Sequence, residues 1–175
     1  SMDQSLSRVE EIQELAVKYK KKMVVYLSMA FGNPYGDAWD VDVVAEWAEK
    51  LHQKLGIKKL ALSDTIGVSN PDNISHLFST LIPEFTAVEF GAHLHTTPDT
   101  WKEKVDAAYQ SGCLRFDGAI KGYGGCPMAA DDLTGNMPTE NMLVYFNDND
   151  IPHTTDMDLF KESMQKSNEV FLNYH

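Results

Sequence analysis

The chain has 175 residues, of which 43% are hydrophobic and 10% aromatic, a composition typical of one folded domain rather than a disordered chain. Its 15 basic and 26 acidic residues give a formal net charge of −11. Nucleic acids and anionic membranes attract basic surfaces, so this charge argues against both as partners. An anionic substrate would need local compensation from a metal ion or a lysine.

The two cysteines, Cys113 and Cys126, do not form a CxxC pair. The sequence also shows no charged-then-apolar leader pattern and no apolar run of the length that spans a bilayer. These features predict a protein of the reducing cytoplasm that binds no membrane.

The first elements in chain order are predicted to be a helix, a strand and a second helix. Apolar residues recur at helical spacing in the first segment: Leu6, Val9, Ile12, Leu15 and Ala16. The near-continuous apolar run over residues 23–30 predicts a strand buried on both faces. A second helical pattern begins at Val41 and ends at Leu55-Gly56. We expect the apolar stripes of all the helices to pack against the sheet.

The rest of the chain continues the alternation of strands and helices. Asn70 followed by Pro71 predicts a capped helix start, and Asp156 is predicted to cap the last helix. The predicted strands are residues 59–62, 88–94 and 114–119, and the predicted helices are residues 71–81, 100–111, a helix that begins at Pro138, and residues 157–173.

This alternation predicts an α/β fold in which parallel strands are joined by helical crossovers. Four βα units with helices at both termini make up half of a (β/α)₈, or TIM, barrel, which typically needs about 250 residues. We expect residues 1–175 to form a single domain. Two strand edges would then remain unpaired, so the chain should associate with a second copy or belong to a longer parent.

The motif His93-Leu94-His95 is the strongest indication of chemistry. Alternate side chains of a strand share a face, so both imidazoles would project the same way and could share one metal ion. The glycine loop that follows, residues 122–127, offers the thiol of Cys126, and Asn136 offers a carboxamide oxygen. Together these groups predict an open metal site beside an acid/base group.

Three motifs together resemble the hydroxymethylglutaryl-CoA lyase family, which belongs to the metal-dependent lyase and acyltransferase TIM barrels. They are LSDTIG at residues 62–67, GAHLH at residues 91–95, and GYGGCP at residues 122–127 with GNMPTE at residues 135–140. The resemblance covers about residues 23–146 and corresponds to the carboxyl-terminal half of the family's barrel. The His-x-His strand is shared with condensing relatives such as isopropylmalate and homocitrate synthases, whereas the Gly-Gly-Cys-Pro loop indicates the lyases.

By this resemblance, His93, His95 and Asn136 bind a divalent cation, which the oxygen-rich ligand set predicts to be Mg²⁺ or Mn²⁺. Cys126 is expected to be a catalytic thiol that transfers the proton at the enolate carbon. Asp64 or His93 is expected to handle the proton of the substrate hydroxyl.

The implied reaction cleaves 3-hydroxy-3-methylglutaryl-CoA, or a related acyl-CoA, to acetyl-CoA and a keto acid. Lys121 is a candidate for contacting the anionic CoA portion. Gly124 and Gly125 are expected to let the loop backbone approach the substrate.

Each candidate also has a structural alternative. A strand histidine is commonly a hydrogen-bonded polar residue, Cys126 a small buried thiol, Asn136 a turn or cap residue, and Asp64-Thr65 a loop or cap group. Cys113 is predicted to fill the core, and the remaining histidines are predicted to be solvated: His52, His76, His153 and His175.

Two further functions remain open. One is a Claisen-type acyl-CoA condensing enzyme of the same superfamily. The other is a half-barrel that self-associates without catalysing a reaction, because the Arg-Asp motif on the family's first strand has no counterpart in this chain.

Overall fold

The computed structural model describes residues 2–125 and 134–171, and within these ranges helices and strands alternate as predicted. The helices are α1 (Met2–Lys18), α2 (Val41–Glu49), α3 (Pro71–Glu84), α4 (Trp101–Gln110), α5 (Thr139–Asp148) and α6 (Met157–Phe171). The strands are β1 (Val25–Leu27), β2 (Lys59–Ser63), β3 (Glu89–His93), β4 (His95–Thr96), β5 (Arg115–Asp117) and β6 (Gly135–Asn136). A π-helical segment, Lys50–Lys54, extends α2, and a 3₁₀ turn covers Ile120–Gly122.

The main sheet has the strand order β1–β2–β3–β5, and every neighbouring pair in it is parallel. The predicted α/β class and the parallel βα order are therefore confirmed. A small antiparallel pair, β4 with β6, lies beyond the carboxyl end of β3. This pair was not predicted from the sequence.

The hydrophobic core lies between the sheet and its helices. Leu60 and Leu62 of β2 are fully buried, and Leu77 and Phe78 of α3 are buried with them. Side chains alternate along a strand, so the face of the sheet opposite the helices carries a different set of residues, among them Lys59, Glu89 and Arg115. The packing therefore separates an apolar face, covered by helices, from a charged face.

The predicted helix boundaries are confirmed where local capping chemistry sets them. The Asn70 side chain accepts hydrogen bonds from the Asp72 and Asn73 amides at 3.0 Å each, and the Asn73 side chain accepts one from the Asn70 amide at 2.8 Å, which completes a capping box. Asp156 accepts from the amides of Asp158 and Leu159 at the start of α6. Gly56 ends the second helical segment with φ +67°, a conformation that favours glycine.

One prediction about burial is wrong and a second holds only in part, and both concern the edges of the fold. The first strand has only three residues, Val25–Leu27, and Tyr26 is 45% exposed because it projects from the uncovered face of an edge strand. In α1, Leu6 and Val9 are half-buried against the core, but Ile12 and Leu15 are each 53% exposed, so only part of this apolar stripe is packed. The fourth predicted strand also shortens to β5, with Leu114 exposed before it.

The sheet curves around its charged face. The Tyr26 hydroxyl donates a 2.7 Å hydrogen bond to Asp117 Oδ2, although β1 and β5 are the two outermost strands of a four-stranded sheet. Neighbouring strands lie about 4.8 Å apart, so a flat sheet would hold these side chains beyond reach of each other. The curvature is that of part of a barrel, and within the described ranges no strand pairs with the outer edge of β1 or β5.

Candidate functional site

The candidate site lies where three parallel strands end. The last residues of β2, β3 and β5 are in register, so that Ser63 pairs with His93 and His93 pairs with Asp117. Parallel β/α folds place their active sites at this end of the sheet because the loops that follow the strands converge there. Asp64 follows β2 directly and joins the group.

The two predicted histidines are close together, but they do not belong to one strand. β3 ends at His93, and His95 begins β4, because the chain leaves the parallel ladder at the buried Leu94. The carbonyl of Leu94 instead accepts a 3.0 Å bond from the Met137 amide. The imidazole centroids of His93 and His95 are 5.6 Å apart with ring planes at 58°, so the predicted juxtaposition of the two rings is present.

Asn136 is brought to the histidines by the antiparallel pair β4–β6, in which His95 and Asn136 are direct partners. Its Nδ2 donates a 2.9 Å bond to the carbonyl of Tyr123. One of the two N–H groups of the amide is therefore engaged by the backbone, and the carboxamide oxygen is the atom of this side chain with the chemistry to bind a cation.

Burial keeps both imidazoles neutral near neutral pH. It is the main cause that lowers the pKa of His93, and Asp117 partly opposes it. Burial is also the main cause that lowers the pKa of His95, reinforced by His93, while a hydrogen bond with Asn136 acts in the opposite direction. Neutral imidazoles are the form that binds metal ions.

The polar atoms at this point fit a cation. The Nδ1 atoms of His93 and His95 are buried and have no hydrogen-bond partner among the described residues. Buried polar atoms without a partner are unusual and require an explanation such as an ion or a water molecule. In the same ranges no group of three or more His, Cys, Asp or Glu side chains lies close enough together to hold a metal ion. A cation bound here would therefore have two imidazoles and a carboxamide as its protein ligands, and its other coordination positions would be open.

The glycines of the loop have a packing role around Asn136. A Cβ on Gly122 would lie 2.8 Å from the Asn136 carbonyl oxygen, and one on Gly124 would lie 3.1 Å from Asn136 Nδ2. Gly125 similarly faces the carbonyl of Thr134. Glycine is therefore needed for the loop backbone to approach β6. Cys126, the predicted thiol, lies outside the described residues.

Asp64 is 1% exposed and accepts four hydrogen bonds. Oδ1 accepts from the Val68 amide at 2.8 Å, and Oδ2 accepts from the Ser69 amide, the Ser69 hydroxyl and Lys104 Nζ at 3.1, 2.5 and 3.2 Å. Both oxygens are thus occupied by this loop and by α4. This geometry favours the loop-group alternative for Asp64, although the carboxylate lies near enough to the histidines to raise their pKa values.

Lys121 lies on the 3₁₀ turn at the start of the glycine loop. Its amide donates to Glu140 Oε2 at 2.9 Å, and its Nζ donates to Asn168 of α6. The side chain is exposed and is directed towards α6 rather than towards the histidines. A role in binding CoA stays a prediction.

Sequence reasoning missed two polar groups at this site. Lys104 of α4 is buried and contacts Asp64 and the His95 backbone, and Asp117 of β5 contacts Tyr26 and Arg115. One signal for Lys104 was present: it shares a helix face with Trp101, Val105 and Ala108, at the spacing of a buried stripe. The other thiol, Cys113, is fully buried as predicted, and burial raises its pKa to about 12.

The parallel βα fold and the curvature of its sheet are those of part of a TIM barrel. The chain superposes on the HMG-CoA lyase of Bacillus subtilis with a TM-score of 0.87 and 30% identity, covering 97% of this chain and 56% of that one. It superposes on an HMG-CoA lyase from Acinetobacter baumannii in complex with coenzyme A and 3-methylmalate with a TM-score of 0.81 and 28% identity, covering 97% and 54%.

The sequence comparison gives the family. The HMGL-like family model matches residues 1–166, so the chain belongs to the HMGL-like family. The hydroxymethylglutaryl-CoA lyase YngG of Bacillus subtilis is 33% identical over 151 residues, which is 86% of this chain and 50% of that protein.

The chain therefore spans about half the length of the relatives it matches. Its assignment to the carboxyl-terminal half of the barrel stays a prediction. None of the described helices is long and apolar enough to cross a membrane.

Proposed function

We propose that the chain is a single-domain half, residues 1–175, of a metal-dependent carbon–carbon lyase of the hydroxymethylglutaryl-CoA lyase type. His93, His95 and Asn136 would hold a divalent cation, Mg²⁺ or Mn²⁺. The observation that carries this proposal is the pair of imidazoles, 5.6 Å apart, whose buried Nδ1 atoms have no described partner.

A bound divalent cation would act as a Lewis acid towards the hydroxyl and carboxylate oxygens of the substrate. The chain's own residues would orient the ligand: the β4–β6 pair holds Asn136 opposite His95, and burial keeps the imidazoles neutral. An imidazole that binds a cation through one nitrogen has no second basic nitrogen, so we assign His93 to the cation. The hydroxyl proton is then left to Asp64 or to a group outside the described residues.

The proposed substrate is 3-hydroxy-3-methylglutaryl-CoA or a related acyl-CoA, released as acetyl-CoA and a keto acid. The Acinetobacter baumannii relative, whose structure contains coenzyme A, supports an acyl-CoA ligand. Lys121 would contact the anionic CoA portion, while Gly124 and Gly125 would bring the loop close to the acyl group. Cys126 would transfer the proton at the enolate carbon.

Titration with Mn²⁺ tests the metal site directly. Paramagnetic Mn²⁺ broadens nearby proton resonances, so the imidazole Cε1–Hε1 signals of His93 and His95 should broaden first in a heteronuclear NMR spectrum. His76, which is exposed on α3, is the internal control and should broaden last. Equal broadening of all the histidines, or none at His93 and His95, would contradict the proposal.

A second function is that the isolated chain does not catalyse the reaction and pairs with another copy through its open strand edges. The uncovered edges of β1 and β5, and the chain's coverage of about half of its relatives, support it. In sedimentation velocity we expect a species of twice the 19.6 kDa monomer mass. A monomer at every concentration, or release of acetyl-CoA by that monomer, would overturn this second function.

A further inference from the structure

Lys104 occupies an unusual position for a lysine. It lies on α4 within the core-facing stripe and is 3% exposed, and it is the one lysine among the buried residues of the described ranges. Lysine is almost never fully buried unless its charge is paired. Its burial therefore implies that Nζ is held by partners whose positions it also restrains.

Those partners connect α4 to the strand-end site. Lys104 Nζ donates a 2.9 Å hydrogen bond to the carbonyl oxygen of His95 and a second, at 3.2 Å, to Asp64 Oδ2. The side chains of Lys104 and Asp64 are 4% and 0% exposed, so water does not compete for these bonds.

Asp64, the partner of Lys104, also contacts the backbone of the other histidine, His93. Its backbone amide donates a 2.9 Å bond to the carbonyl oxygen of His93. The carbonyls of His93 and His95 are thus bonded to the two members of one buried ion pair. We call these four residues the carbonyl clamp.

The clamp acts on the backbone that carries the His95 ring. Histidines that bind metals ordinarily have their second ring nitrogen bonded to another group, which helps to fix the ring orientation. The His95 ring has a hydrogen bond with the Asn136 side chain, while its Nδ1 has no partner within the described parts of the chain. The direction in which Nδ1 points therefore also depends on the backbone to which the ring is attached, and Lys104 holds that backbone at the His95 carbonyl.

We propose that Lys104 is a positioning residue that orients the His95 imidazole for cation binding, acting through the His95 carbonyl and the Asp64 carboxylate. The cation in this statement rests on the proposed function. The orientation of the His95 ring does not depend on the proposed function, because it is a property of the metal-free chain.

Histidine NMR on the metal-free chain tests the orientation. Lys104→Met keeps the length of the side chain and removes its donor, so the Cε1–Hε1 signal of His95 should shift while that of exposed His76 stays in place. Lys104→Arg restores a cationic donor and should return the His95 signal towards its wild-type position. Val105→Ala loosens the same helix at a fully buried site and is the structural control, which should leave His95 unmoved.

Metal affinity gives the second readout. Loss of a group that orients a metal ligand commonly weakens metal binding about 10- to 100-fold, and we expect Lys104→Met to weaken Mn²⁺ binding by that factor. Val105→Ala should bind Mn²⁺ as the wild type does. If wild-type His93 and His95 do not respond to Mn²⁺, the proposed function fails, and the metal-free spectra still decide the role of Lys104.

The proposal for Lys104 is overturned if the His95 signal keeps its place in Lys104→Met, or if Val105→Ala moves it equally. Should Lys104→Met not fold, the double variant Lys104→Met with Asp64→Asn removes both buried charges together. That variant still lacks the donor to the His95 carbonyl and must show the same His95 shift.

Discussion

Replacing Asp64 with alanine is expected to lower the free energy of unfolding by about 3–5 kcal/mol, the loss typical of breaking a buried ion pair. The carboxylate is fully buried, so its removal leaves the charge of Lys104 buried without its anion. The Val68 and Ser69 amides lose their acceptors at the same time. Urea denaturation should show a lower midpoint with an unchanged slope.

The matched control is Asp158→Ala. Asp158 also pairs with a lysine, Lys161, at 3.4 Å, but the side chain of Asp158 is 95% exposed. Exposed pairs of this kind contribute little to stability because water and salt screen them. Equal losses in the two variants would show that the Asp64–Lys104 pair is not a buried structural bond.

The sequence predicted the fold where short-range chemistry decides the structure. Asn70 with Pro71 and Asp156 set helix starts through bonds to amides two and three residues away, and such local patterns can be read directly. The exposure of Ile12 and Leu15 in α1 and the shortness of β1 could not be predicted in this way. Burial at those positions depends on which part of the protein covers the edge of the sheet, and the pattern of apolar residues does not predict this.

The candidate site was predictable to a similar degree. His93 and His95 are two residues apart, so any extended backbone brings their rings to one side. The ion pair between Asp64 and Lys104 joins residues 40 positions apart, and the bond between Tyr26 and Asp117 spans 91. Pairs at this separation are created by the tertiary fold, and the local spacing of residues in the sequence does not predict them.

The charged inner face of the sheet limits what can close this half-barrel. Lys59 pairs with Glu89, and Arg115 bonds to Asp117 at 3.1 Å, all on the face that curves inwards. The interior of a closed TIM barrel is dominated by branched apolar side chains. A second half or a second copy that docks here must therefore offer polar partners, because an apolar surface would desolvate these ion pairs without compensation.

Removing both imidazoles is expected to have the largest effect on metal binding. In the double variant His93→Ala with His95→Ala, we expect the affinity for Mn²⁺ to fall by more than about 100-fold, because loss of a group that merely orients a ligand already costs 10- to 100-fold. Electron paramagnetic resonance of free Mn²⁺ measures the bound fraction, and circular dichroism checks that the variant is folded.

His76→Ala is the control for this double variant, because it also removes an imidazole, but from the exposed side of α3. It should bind Mn²⁺ with wild-type affinity. If the double variant binds as tightly as His76→Ala, the ion is held elsewhere, by the acidic surface of a chain whose net charge is −11. In that case the lack of a partner at the two buried Nδ1 atoms would have another cause, and the proposed metal site would be wrong.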